Sequence, residues 1–176
     1  MLPVAAGVLI LATGCSASPA SVALPKRASP GTAVKSAVPR LTPRQQVIAA
    51  YTGYTQALPE AESTQSAAQV RSMMAPYLSA GAVVALLRTF RAAWQKHEIS
   101  YGSPVTHIIR VTITGNRAVV DDCANDSHSG LEDARTGQAI TATLGPSRVN
   151  LVTRLARVRG SWQIGLQNVL LVPCAP

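Results

Sequence analysis

The hydrophobic period of this chain changes once, near His97, and that change limits the fold more than any other feature. Before it, apolar residues recur at helical spacing. Val47, Tyr51, Tyr54 and Leu58 share one face, and Val83, Leu87, Phe90 and Trp94 share another, joined by Leu86 and Ala93. After it, Val105, Ile109, Val111 and Ile113 alternate with Thr106, Arg110, Thr112 and Thr114, as a half-buried strand requires. Helices first and strands afterwards predict an α+β domain, with the helices packed on one face of a curved antiparallel sheet.

Local signals set the element boundaries. Thr42-Pro43-Arg44-Gln45 opens the first helix, with Thr42 as N-cap, Pro43 at the first helical position and Gln45 placed to close a capping box. Pro59 is expected to end it. A second helix spans about 66–74 and a third begins near Ser79 and fades near His97. Gly115-Asn116 reads as a two-residue hairpin loop into a strand over 117–123. Another strand pair, 148–158 and 162–172, flanks Arg159-Gly160-Ser161. The intervening 125–146 is a long excursion with its tip at 133–137 and with Leu131 and Ile140 beside the tip.

The N-terminus obeys different rules. Residues 4–12 form an apolar run of signal-peptide length, far below the ~20 residues that a spanning helix needs. Leu11-Ala12-Thr13-Gly14-Cys15 closes it as a bacterial lipobox, in which small residues precede the cysteine that receives diacylglycerol. The expectation is a signal peptide over 1–14, lipidation at Cys15, and a mature protein held at the cell membrane on its extracytoplasmic face. Residues 15–41 are rich in Ser, Ala and Pro and make a tether, with a reach on the order of 30 Å. Lys26, Arg27, Lys35, Arg40 and Arg44 are basic, and no acidic residue occurs before Glu60, so most of the net +8 charge falls before Gln45. Such a tether is attracted to anionic lipid by about 1 kcal/mol per cation near the surface, screened by salt. The remaining domain, 42–176, is long enough for one core.

The high pI does not point to nucleic acid. There is no zinc-finger spacing, no helix with a dense basic face and little interleaving of basic and aromatic residues. No cofactor is implied, since G-x-x-x-x-G-K-[ST] and G-x-G-x-x-G are both missing. Nor is a metal: Asp121, Asp122, Asp126, His128, Glu132 and Asp133 match neither a calcium loop nor HExxH. With Cys15 lipidated, Cys123 and Cys174 remain in an oxidising compartment and are expected to form a disulfide.

Several segments carry a family resemblance. They are Gly102-Ser103-Pro104-Val105 entering the sheet, Asn116-Arg117-Ala118-Val119-Val120-Asp121-Asp122-Cys123 on a strand, Ala134-Arg135-Thr136-Gly137-Gln138, Val158-Arg159-Gly160-Ser161-Trp162-Gln163-Ile164, and the near-terminal Cys174. With the helix-then-strand order, they resemble the nuclear transport factor 2-like superfamily, the cystatin-like cone that also holds ketosteroid isomerases and polyketide cyclases. More closely, the chain looks like small secreted lipoproteins of high-GC Gram-positive bacteria with this fold. The resemblance covers residues 42–174 and implies a fold and a location more than a reaction.

Strand geometry nominates a site. With Gly115 and Asn116 as the loop, Ile113 faces Ala118, Val111 faces Val120, Ile109 faces Asp122 and His107 faces Ala124. Alternation then puts His107, Ile109, Val111, Ile113, Val120 and Asp122 on the face toward the helices, while Arg110 and Asp121 oppose each other outside. An inward Asp122 could act as a general base of isomerase type, with Tyr51 or Tyr54 donating to a developing enolate. It could equally be satisfied by its neighbours, with the tyrosines as core residues. The ligand-pocket candidates are His107, Ile109, Val111, Asp122 and Tyr54. Three readings follow: a non-catalytic binding or interaction module for a small molecule or a protein, an isomerase- or cyclase-like enzyme using Asp122, and an accessory component of a cell-envelope secretion or conjugation machine.

Overall fold

The computed structural model describes residues 40–172 and Cys174. The proposed signal peptide, Cys15 and nearly all of the tether lie outside the described residues. Three helices precede six strands: α1 Pro43–Ser63, α2 Ala67–Met74, α3 Ala80–Trp94, β1 Glu98–Tyr101, β2 Ile108–Thr114, β3 Arg117–Ala124, β4 Gly130–Asp133, β5 Val149–Val158 and β6 Ser161–Leu170. Four of the strands form an antiparallel sheet in the order β2-β3-β5-β6, and β1 pairs separately with β4.

Each helix starts on a side-chain cap. Thr42 Oγ1 accepts from Gln45 N–H at 3.3 Å and Thr42 N–H donates to Gln45 Oε1 at 2.8 Å, which completes the capping box. Ser66 and Ser79 cap α2 and α3 through the amides of Gln69 and Ala82. The expectation that Pro59 ends α1 is corrected: the helix runs through it to Ser63. A proline removes one backbone hydrogen bond, here to the carbonyl of Thr55. Tertiary contacts hold the turn beyond it, where Ala61 and Glu62 are buried, Trp94 Nε1–H donates to Glu62 O at 2.9 Å, and Ser100 N–H and Oγ–H donate to Glu62 Oε2.

The helical stripes meet the sheet's inner face in one core. Val47, Tyr51, Val70, Met74, Leu87 and Phe90 pack against Ala118, Val120, Leu155, Trp162 and Ile164. Two bulges curve the sheet around them, one between Ile108 and Arg110 in β2 and one opposite Arg154 and Leu155, at Gly165 of β6. The turn between α2 and α3 covers part of the open edge of β6, because Ile164 N–H donates to Tyr77 O at 2.7 Å and Ser79 N–H donates to Ile164 O at 2.9 Å. Sequence reading did not anticipate β1, which is four residues long with no alternation of burial. The arm folds as expected at its tip, and Ile140 N–H donates to Leu131 O at 2.8 Å.

A disulfide joins Cys123 and Cys174, with Cα atoms 5.7 Å apart. Cys123 alternates onto the outer face of β3, so the bond draws the chain after β6 back across the sheet. Closing a loop with a sequence separation of 51 stabilises by about 4 kcal/mol on the chain-entropy model. Reduction, or Cys174→Ser, is therefore expected to lower the melting temperature by roughly 10–15 °C in differential scanning calorimetry. An unchanged melting temperature would show that the cross-link contributes nothing.

Candidate functional site

The site begins with a charged side chain in the core. Strand alternation turns Val120 and Asp122 of β3 inward, and Asp122 has 0% of its surface exposed. Burying a carboxylate is expensive unless each oxygen finds a donor. Both do: Tyr51 Oη–H, from the middle of α1, donates to Oδ2 at 2.7 Å, and the backbone N–H of His107 donates to Oδ1 at 2.6 Å. Thr153 of β5, also fully buried, lies beside the Tyr51 hydroxyl and accepts from Gln167 Nε2 at 3.1 Å. Burial, and then the adjacent Asp122, push the Tyr51 phenol far above the usual tyrosine range, so it remains a donor at every physiological pH.

The bulge in β2 rearranges the expected register. From the hairpin loop back to Arg110 opposite Asp121 the pairing follows the two-residue turn, with Val111 opposite Val120 and Ile113 opposite Ala118. One extra residue then intervenes, and Ile108 rather than Ile109 stands opposite Asp122. Ile109 is pushed outward and is 52% exposed, so its assignment to the inner face is corrected. The His107 side chain is corrected too: it faces solvent, and its backbone amide serves Asp122 instead. Val111 packs against the core without reaching the cavity described below. Because the irregularity falls in β2 and not β3, the two aspartates keep their sides. Asp121 accepts from Arg110 Nε–H at 2.6 Å on the outer face.

Between α1 and the open end of the sheet lies a cavity of about 230 Å³. Asp122 and Tyr51 lie at its base, while Tyr54, Asp126, Thr106 and Gln167 supply other polar positions in a largely apolar wall. Burial raises the Tyr54 phenol above its ordinary value. Asp126 was not among the candidates read from the sequence. Its Oδ1 is buried without a partner, and burial, then the charge of Asp122, raise its carboxyl above the usual aspartate range. No strand pattern marks it, because it sits in the turn after β3, where Gly145 packs so closely that a Cβ there would strike it. Among the described residues, no three His, Cys, Asp or Glu side chains gather as a metal site requires.

No family profile matches the chain, and no curated protein matches it in sequence. Similarity to solved structures is in the fold. The intermembrane space region of the chloroplast protein ARC6 superposes with a TM-score of 0.52 at 13% identity, over 75% of this chain and 98% of that one. An NTF2-like protein from Cytophaga hutchinsonii gives 0.48 at 8% identity, over 74% of this chain and 100% of that one. Another, from Shewanella baltica, gives 0.42 at 15% identity, over 76% and 100%. The shared architecture is an α+β fold with N-terminal helices against an antiparallel sheet.

The raised carboxyl of Asp126 has a measurable consequence. Its charged form is disfavoured in the folded state relative to the unfolded chain, so its contribution to stability improves as pH falls from neutral through the folded-state value. Below the ordinary value of 3.8 the contribution vanishes. Asp126→Asn should therefore gain stability relative to the parent at pH 7, and the gain should shrink on acidification, in urea unfolding across the pH range. A difference that does not change with pH would remove the assigned cause.

Proposed function

We propose that the chain is a membrane-anchored extracytoplasmic lipoprotein whose NTF2-like domain is a binding module without catalysis. The observation that carries the second half is the burial of Asp122, which has no exposed surface and already accepts one scaffold hydrogen bond on each oxygen. A general base needs a free oxygen presented to substrate, whereas both oxygens of Asp122 accept hydrogen bonds from groups that hold the fold together. The Tyr51 hydroxyl is spent on that same bond and is not free to stabilise an enolate. The cavity above them is small, and Asp126 on its wall is the second carboxylate that a ligand N–H or O–H could approach.

The first half rests on the lipobox ending in Cys15 and on the tether, and the disulfide suits an exported domain. The high-GC Gram-positive lipoprotein resemblance supports the same location. A second reading, an accessory part of a cell-envelope machine, is favoured by one observation: Leu166, Val169, Leu170, Leu171 and Val172 expose apolar surface along and just beyond the edge strand β6.

Three experiments test the proposal. Tyr51→Phe leaves a buried carboxylate short of a donor and should cost about 1.5–3 kcal/mol in urea unfolding. If the parent protein exchanged the α-carbon protons of a β,γ-unsaturated ketone with solvent, and Asp122→Asn abolished that exchange, the non-catalytic reading would fall. For the anchor, the full chain with its signal should partition with membranes, and Cys15→Ser should be released or left unprocessed. Equal membrane association of the mutant, with no lipid adduct by mass spectrometry, would refute the location.

A further inference from the structure

The acidic residues of the domain are segregated along its axis, while cations occur at both ends, Arg91 and Arg148 among them at the acid-bearing one. All eight acidic residues fall at or toward one end. Glu60 and Glu62 close α1, Glu98, Glu132 and Asp133 sit in the β1–β4 ladder, Asp126 lies at its base, and Asp121 and Asp122 occupy the second half of β3. The cations that are paired lie there too: Lys96 with Glu98, Arg110 with Asp121 and Arg135 with Asp133.

The opposite end is basic without any acid. It is built from the start of α1, the α2–α3 turn and the tips of both hairpins. Leu41, Pro76, Tyr77 and Gly160 line one depression there, and Arg157 N–H donates to Asn116 O at 2.8 Å, bringing the two hairpin tips together. Arg40, Arg44, Arg71, Arg117, Arg157 and Arg159 are all exposed on it. Among the described residues none of the six pairs with a carboxylate. The nearest acid on α1, Glu60, is about 25 Å further along the helix. Apolar side chains are interspersed: Leu41, Val84 and Val158 are 52%, 57% and 43% exposed. Arg71 and Arg159 flank an open groove of about 740 Å³ with Val84 and Val158 on its wall.

We infer that this end of the domain docks on an anionic phospholipid bilayer. The assignment rests on the membrane-anchored reading above, and two features select this occupant. One is charge complementarity, in which unpaired arginines mixed with exposed aliphatic groups match a layer of phosphates over acyl chains. The other is chain direction. The 39 residues that precede the described ones, with Cys15 among them, enter the domain at Arg40, within the basic end itself. An anchored chain therefore holds this end within a tether's length of the membrane.

The test uses the mature chain from residue 16, exported so that its disulfide forms and carrying no lipid, so that it does not depend on whether Cys15 is modified. Sedimentation with vesicles containing one-third phosphatidylglycerol should show binding that half-molar salt abolishes and that pure phosphatidylcholine does not support. Arg157→Gln with Arg159→Gln, at an exposed hairpin tip, should weaken binding about tenfold or more with an unchanged melting temperature. Replacing Lys26, Arg27 and Lys35 by Gln separates the tether from the domain. Loss confined to that tether variant, binding that ignores the headgroup, or a salt-matched preference for duplex DNA over the vesicles would each overturn the inference. Failure of the Cys15→Ser experiment alongside retained vesicle binding would remove the anchor and leave the lipid-binding surface.

Discussion

The hydrogen bond from Tyr51 to Asp122 is the constraint around which the cone is arranged. A carboxylate with no exposed surface tolerates only geometries that keep donors on both of its oxygens, and here one donor comes from α1 and the other from the backbone entering β2. That requirement ties the rotation of α1 to the register of β3 and to the bulge of β2. If β2 ran without the extra residue, Ile109 rather than Ile108 would stand opposite Asp122 and the amide of His107 would be displaced from its place. Apolar packing would accept several sliding arrangements of α1 on the sheet, whereas the directional bond accepts one.

The readable part of this structure was the part governed by local, repetitive rules. Helical spacing placed Tyr51 and Tyr54 on the buried face, the capping box fixed the start of α1, and the Gly115-Asn116 loop fixed the pairing of β2 with β3 as far as Arg110. Asp122 inward and Asp121 outward followed from that alternation alone. What failed was non-local. Pro59 is a helix stop by propensity, and only the burial of Ala61 and Glu62 against α3 and β1 overrides it. The bulge at Ile109 left no turn residue in the sequence to announce it, so His107 and Ile109 were both given the wrong face. Asp126 became a candidate only when β3, β5 and α1 were seen to enclose the same space.

Asp122 and Asp126 line the same cavity yet differ in their circumstances. Asp122 accepts one scaffold donor on each oxygen, and removing either donor strains the fold before it touches any ligand. Asp126 is held against Gly145 with a buried oxygen unpaired, an arrangement that costs stability and that a ligand donor would relieve. Structural polar groups in a core tend toward complete satisfaction, and incomplete satisfaction tends to mark places where something else binds.

The overall composition conceals this polarity. A net +8 on the whole chain, with most of the excess before Gln45, suggests a basic tether carrying a mildly basic domain. Folding changes the meaning of those numbers, because the hairpin tips bring Arg117, Arg157 and Arg159 to the end where Arg40 and Arg44 begin the domain, while every acid is carried toward the other end. A modest net charge can thus accompany a large charge moment, and a moment orients a body near a charged plane where a net charge only attracts it. Anchorage alone leaves orientation free; the placement of these arginines is what would fix it, leaving the acidic arm and the exposed apolar edge of β6 facing away from the lipid and open to partners.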